Sequence, residues 1–94
     1  MDGLTRIMTV LALKNVVREP GAIYYIRRYR ATANLKLPTE IVDSNIEFSI
    51  ETGPLGDKII EVELLTQPNY PAIPIVKALK EFINENDNSE LLPI

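Results

Sequence analysis

The chain contains no cysteine, no histidine and no tryptophan among its 94 residues. Without cysteine it can form no disulfide and offers no thiolate nucleophile. Without histidine it lacks the side chain that serves most often as a general base near neutral pH and as a transition-metal ligand. The sequence therefore predicts no catalytic residue, no metal site and no cofactor, and we expect a protein that is not an enzyme.

Positive charge and long apolar runs are also scarce. The formal net charge is -3, which argues against a general binder of nucleic acid or of anionic membranes. No apolar run is long enough to cross a bilayer, so we expect no membrane partner and a cytoplasmic location. Hydrophobic residues make up 46% of the chain, a proportion typical of a folded protein, and residues 1–94 are predicted to form a single small domain.

Residues 22–37 form a long alternating run that predicts the central strand of a sheet. Successive side chains of a strand point to opposite sides, so the odd-numbered residues, apolar except for Arg27, should face a core. Arg27 would then need a buried acid or an anionic ligand beside it. Because the run exceeds the usual strand length, we expect a bend or bulge near residues 31–33.

Residues 6–18 suit either a helix or a strand by periodicity, and pairing favours a strand. Pro20 and Gly21 predict a turn, and a three-residue loop would place Leu13 opposite Tyr29 on the core face. The same register would place Met8, Val10 and Ala12 on the outer face.

A second hairpin is predicted from strands at residues 45–52 and 58–66, joined by a turn at residues 53–56. This pairing places Ile50 opposite Ile60 and Phe48 opposite Val62. A helix over residues 74–86 follows, with Pro74 in its first turn, and residues 87–94 are expected to be a flexible tail. The predicted fold is α+β: a four-stranded antiparallel meander of two hairpins packed against one C-terminal helix.

Arginine and tyrosine alternate in the second strand, which suggests a binding site for a nucleotide or single-stranded nucleic acid. Tyrosine can stack on bases and arginine can hold phosphates; the candidate residues are Tyr24, Arg27, Arg28, Tyr29 and Arg30. The competing interpretation pairs the two outward arginines with glutamates across the sheet, namely Glu47, Glu51, Glu61 and Glu63. The acidic net charge favours these cross-strand pairs.

The arginine cluster, together with residues 45–53, resembles in composition the PilZ domains, small β-barrels that bind a cyclic dinucleotide. The arginines do not stand at that family's spacing, and Asp43, Ser44 and Asn45 are not followed by the glycine of its motif. The chain is therefore not assigned to that family.

Apolar residues on the outer face of the first hairpin predict a protein interface. These residues are Met8, Val10, Ala12 and Ile26. We expect a non-catalytic interaction or adaptor module that forms a homodimer through this hairpin or binds another protein. Residues 91–94 are apolar again, and either docking on the protein's own core or recognition of a partner would explain them.

Overall fold

A computed structural model describes residues 8–21 and 25–87 of the chain. It contains four strands and one helix: β1 (Thr9–Glu19), β2 (Ile26–Lys36), β3 (Ile41–Thr52), β4 (Lys58–Leu64) and α1 (Ala72–Glu85). The strands form one antiparallel sheet in the order β1-β2-β3-β4. The α+β fold predicted from the sequence is confirmed.

Strand β2 supplies much of the core, as its alternation predicts. Its odd-numbered side chains from Tyr29 onwards, and Leu37 just beyond it, are buried. Tyr29 is fully buried and stacks on Phe48 of β3, with ring centroids 5.0 Å apart. The predicted bulge near residues 31–33 is wrong, because β2 pairs with β3 without interruption from Ile26 to Lys36.

The second hairpin has the predicted register, with Ile50 opposite Ile60 and Phe48 opposite Val62. Strand β3 begins at Ile41, earlier than predicted, and β4 ends at Leu64. The added part of β3 contains Ser44, whose polar side chain interrupts the apolar pattern. Ser44 is nevertheless buried, and its hydroxyl donates a hydrogen bond to the carbonyl of Thr66.

The predicted register of the first hairpin is wrong, since Leu13 lies opposite Ala33 and Val17 opposite Arg30. Two irregularities shift the pairing along β1, between Val10 and Ala12 and between Lys14 and Val17. At the second, Asn15 has a φ of 54°. Asparagine tolerates this left-handed conformation better than most residues, and a bulge there turns the following side chains to the other face.

The bulges also correct the assumed orientation of two interface candidates. Val10 lies opposite the buried Leu35, and both Met8 and Val10 pack against the core. The prediction that they face outward is therefore wrong. Ala12 lies opposite the outward Asn34, so it does belong to the outer face.

Helix α1 covers the core face of the sheet. It begins at Ala72, two residues before the predicted start, and Pro74 lies in its first turn, where no backbone N–H donor is needed. Its buried side chains are Ile75, Leu79 and Ile83. The helix contacts both β1 and β4, which shows that the sheet curls around it. In the described part of the chain, no helix is long and apolar enough to span a membrane.

Candidate functional site

The five residues of the predicted tyrosine and arginine site do not lie together. Arg28 and Arg30 are exposed on the outer face, whereas Arg27 and the buried Tyr29 lie on the core side. Tyr24 lies outside the described residues. Only two of the five side chains are therefore shown to share one solvent-facing surface.

Arg27 has the buried acid that its position on the core face requires. Its Nη1 lies 3.1 Å from Oδ1 of Asp87, just beyond the end of α1, and Nζ of Lys58 lies 2.6 Å from the other carboxylate oxygen. The Asp87 side chain is only 3% exposed. The prediction that the flexible tail begins at residue 87 is therefore wrong, because two cations hold Asp87 against the sheet. The rest of the predicted tail, residues 88–94, lies outside the described residues.

The Asp87 carboxylate is stabilised in its charged form. Burial by itself would raise its pKa, but hydrogen bonds from Lys58 and Arg27 outweigh burial and hold the pKa below its ordinary value. Oδ1 makes its contact with Arg27 without an aligned hydrogen bond, so that contact is mainly an ion pair. The cluster joins β2, β4 and the end of α1, and its geometry is that of a structural clamp.

The outer face of the sheet carries a network of ion pairs. Nε of Arg30 lies 2.7 Å from Glu19 on β1 and 3.8 Å from Glu47 on β3. A hydrogen bond between the two carboxyl groups lowers the pKa of Glu19 and raises that of Glu47. Arg30 is thus held between acids, as the cross-strand interpretation expected, although Glu19 was not among the predicted partners.

Acidic side chains dominate the outer face where it meets β4. Glu47 lies directly opposite Glu63, and Ser49 opposite Glu61. A shallow cavity of about 310 Å³ lies here and is lined by Arg28, Glu47, Phe48, Ser49, Glu61, Val62 and Glu63. Arg28 is the one cation in this lining, and among the described residues no acid forms an ion pair with it. The border of β4 therefore carries an excess of negative charge.

The backbone of β4 is open on the side away from β3. The N–H of Leu65 donates to the carbonyl of Asn45, 2.8 Å away, which fixes the ladder so that odd-numbered residues of β4 bond to β3. The even-numbered residues Ile60, Val62 and Leu64 direct their N–H and C=O groups outward, where the described residues supply no further strand.

The core-facing side chains of β4 are also incompletely covered. Ile60, Val62 and Leu64 pack against the core but are only half-buried, whereas their partners on β3 are buried. A strand added beside β4 would bury both the unpaired backbone groups and these side chains. We call this strand margin, residues 60–64, the β4 edge.

Apolar residues in contact with solvent gather at the end of the sheet where both hairpins turn. The half-buried Ile26 and the exposed Ile59 flank Glu51 on the outer face. Ile59 is 48% exposed, and Leu55 in the turn is 94% exposed. A cavity of about 480 Å³, lined in part by Tyr25 and Pro54, lies at the same end. We call Ile26, Leu55 and Ile59 the end patch; of the four predicted interface residues it retains Ile26.

Sequence reasoning missed Asp87 and the β4 edge as features of interest. The demand of Arg27 for a buried acid was a signal for the first, but the polar stretch after the helix offered several acids. For the second, the predicted strand order already made β4 an outer strand of the meander. The alternation of Ile60, Val62 and Leu64 with Glu61 and Glu63 then marked both of its faces.

Comparison with known proteins identifies the family. The chain belongs to the BB-0187 family, whose model matches residues 5–88. No curated protein and no solved structure matches the chain significantly. Among residues 8–21 and 25–87, no group of three or more acidic side chains is placed to hold a metal ion.

Proposed function

We propose that this protein is a non-catalytic protein-interaction module that forms a homodimer. The end patch is the observation that carries the proposal. A contiguous group of solvent-facing apolar side chains beside a cavity is typical of a protein interface, because contact with a partner removes apolar surface from water.

The outer face supports a protein partner better than a nucleic acid. Arg30 is engaged by Glu19 and Glu47, and the carboxylates around Arg28 oppose the approach of phosphate groups. Tyr29, which would have to stack on a base, is buried against Phe48. The described surface therefore lacks the positive groove with exposed aromatic rings that single-strand binding uses.

In the proposed dimer, the end patches of two copies face each other. Closed two-fold contacts are the commonest arrangement of homo-oligomers, and each copy then contributes the same surface. Glu51 lies between Ile26 and Ile59 and would need a position at the rim, where charged side chains remain hydrated.

Light scattering coupled to size-exclusion chromatography tests this proposal. We expect the wild-type chain to elute as a dimer and Ile26→Asp to elute as a folded monomer, because the new carboxylate would be desolvated beside Glu51. Ile41→Asp is the matched control, since Ile41 is 60% exposed on the outer face but lies at the other end of the sheet. A monomeric wild type at micromolar concentration would refute the dimer, as would equal behaviour of the two variants.

A further inference from the structure

We infer that the β4 edge binds an extended, basic segment of a partner protein as a fifth strand of the sheet. This inference rests on the proposed role as an interaction module and specifies a second partner, distinct from the copy at the end patch. Three features support it: the open backbone, the half-buried apolar side chains and the excess of acidic groups.

The open backbone provides the main-chain contacts. Ile60, Val62 and Leu64 direct their N–H and C=O groups away from β3, and β4 contains no register shift along its pairing with β3. A straight, unprotected margin of this kind is the template that added peptide strands use.

The two edges of the sheet differ in this respect. Strand β1 is interrupted by two register shifts, and Asn15 takes a positive φ within the second. Bulges twist an edge away from regular pairing and are a common means of protecting it. Strand addition is therefore directed to β4.

Side chains on the two faces of β4 define the sequence of the segment. On the core side, the segment needs apolar residues that extend the row of Ile60, Val62 and Leu64. On the outer side, it needs lysine or arginine beside Glu61 and Glu63, with Glu47 directly behind Glu63. A partner with alternating apolar and basic residues satisfies both faces.

A second copy of this chain fits the β4 edge poorly. In an antiparallel pairing of two β4 strands centred on Glu61, the two Glu61 carboxylates lie opposite each other, which is unfavourable. A shift that centres the pair on Ile60 avoids this repulsion but leaves both Glu61 side chains against Ile59. The acidic border thus selects a partner of the opposite charge.

Fluorescence anisotropy with labelled synthetic peptides tests the inference. The probe is a peptide in which lysine alternates with valine, and the control peptide carries glutamate in place of every lysine. We expect saturable binding of the lysine peptide only. In the double variant Glu61→Lys with Glu63→Lys, affinity for the lysine peptide should fall by about tenfold or more, and the glutamate peptide should bind instead.

The matched protein control is Glu81→Lys with Glu85→Lys, which changes the net charge equally at exposed positions on α1. This variant should bind the lysine peptide like the wild type. Equal losses in the two double variants would show a nonspecific charge effect and would overturn the site. Methylation of the peptide's backbone nitrogens should also abolish binding; retention of affinity would exclude strand pairing.

Amide hydrogen exchange locates the added strand. Peptide binding should slow exchange at Ile60, Val62 and Leu64 and leave Glu61 and Glu63, already bonded to β3, nearly unchanged. Protection confined to other residues would overturn the inference. Light scattering keeps the two proposals apart: a dimer that ignores the peptide refutes only the fifth strand, and a monomer that binds it refutes only the homodimer. If the β4 variants abolish the dimer, the edge pairs two copies, and the basic segment is rejected.

Discussion

The two hairpins have similar sequence patterns but differ in how regularly they pair. In β3 and β4 the register is unbroken, and alternate residues face the core throughout the paired length. In β1 and β2 the register shifts twice, so that Leu11 and Val17 are exposed while Leu13 is buried. Alternation of apolar residues therefore identifies a strand in both cases, but it gives the correct facing only where no bulge intervenes.

The largest expected effect tests the facing of β1. Leu13→Ala removes a side chain that is 5% exposed, and such a cavity should lower the free energy of unfolding by about 2–5 kcal/mol. Leu11→Ala is the same change at a side chain that is 44% exposed, and its cost should stay below about 1 kcal/mol. Urea unfolding followed by circular dichroism measures both, and equal costs would contradict the bulged register.

A medium effect is expected where the clamp joins the two hairpins. Loss of one partner from a buried ion pair costs about 3–5 kcal/mol. Arg27 and Lys58 are 26% and 28% exposed, so water can partly replace the lost charge, and we expect about 1–3 kcal/mol for Asp87→Asn. Glu85→Gln, at an exposed acid in the last turn of α1, serves as control and should have little effect.

Acid should remove the same contribution. Because the pKa of Asp87 is depressed in the folded protein, its stabilisation is complete above the unfolded pKa of about 3.9 and is lost as the pH falls through the folded pKa. The difference in unfolding free energy between wild type and Asp87→Asn should thus be constant near neutral pH and shrink below about pH 4. A difference that is independent of pH in this range would show that the Asp87 charge is unimportant.

The smallest effect tests the bulge itself. Asn15→Ala places a residue with a Cβ and no compensating amide at a φ of 54°, and should cost about 1 kcal/mol. Asn15→Gly should be nearly neutral, since glycine adopts positive φ readily. Thermal unfolding of the two variants separates this conformational effect from any loss of the asparagine side chain, which both substitutions remove.

Much of the fold could be predicted because it depends on local patterns. The odd-numbered face of β2, the turn after Thr52 and the amphipathic stripe of α1 each follow from neighbouring residues in the sequence. The bulges in β1 could not be placed in this way, because their position depends on which β1 side chains the finished core accommodates. Asn15, a residue tolerant of positive φ within an apolar strand, was the one local sign of the second bulge.

The candidate site divides in the same manner. The requirement of Arg27 for a buried acid followed from its position in the alternation, and Asp87 satisfies it. The identity of that acid depends on where the end of α1 meets the sheet, which no local pattern encodes. The acidic outer face of β4 was readable from Glu61 and Glu63, but the half-buried state of its core face required the position of the helix.

The clamp around Asp87 also has a consequence for the order in which the chain folds. Each hairpin closes between segments that are adjacent in sequence, whereas Arg27 and Asp87 are separated by 60 positions. During synthesis, both hairpins can pair before the neutralising carboxylate has left the ribosome. The sheet is then a provisional structure with an uncompensated arginine on its inner side, and the folded unit is complete only after residue 87, beyond the last helical residue.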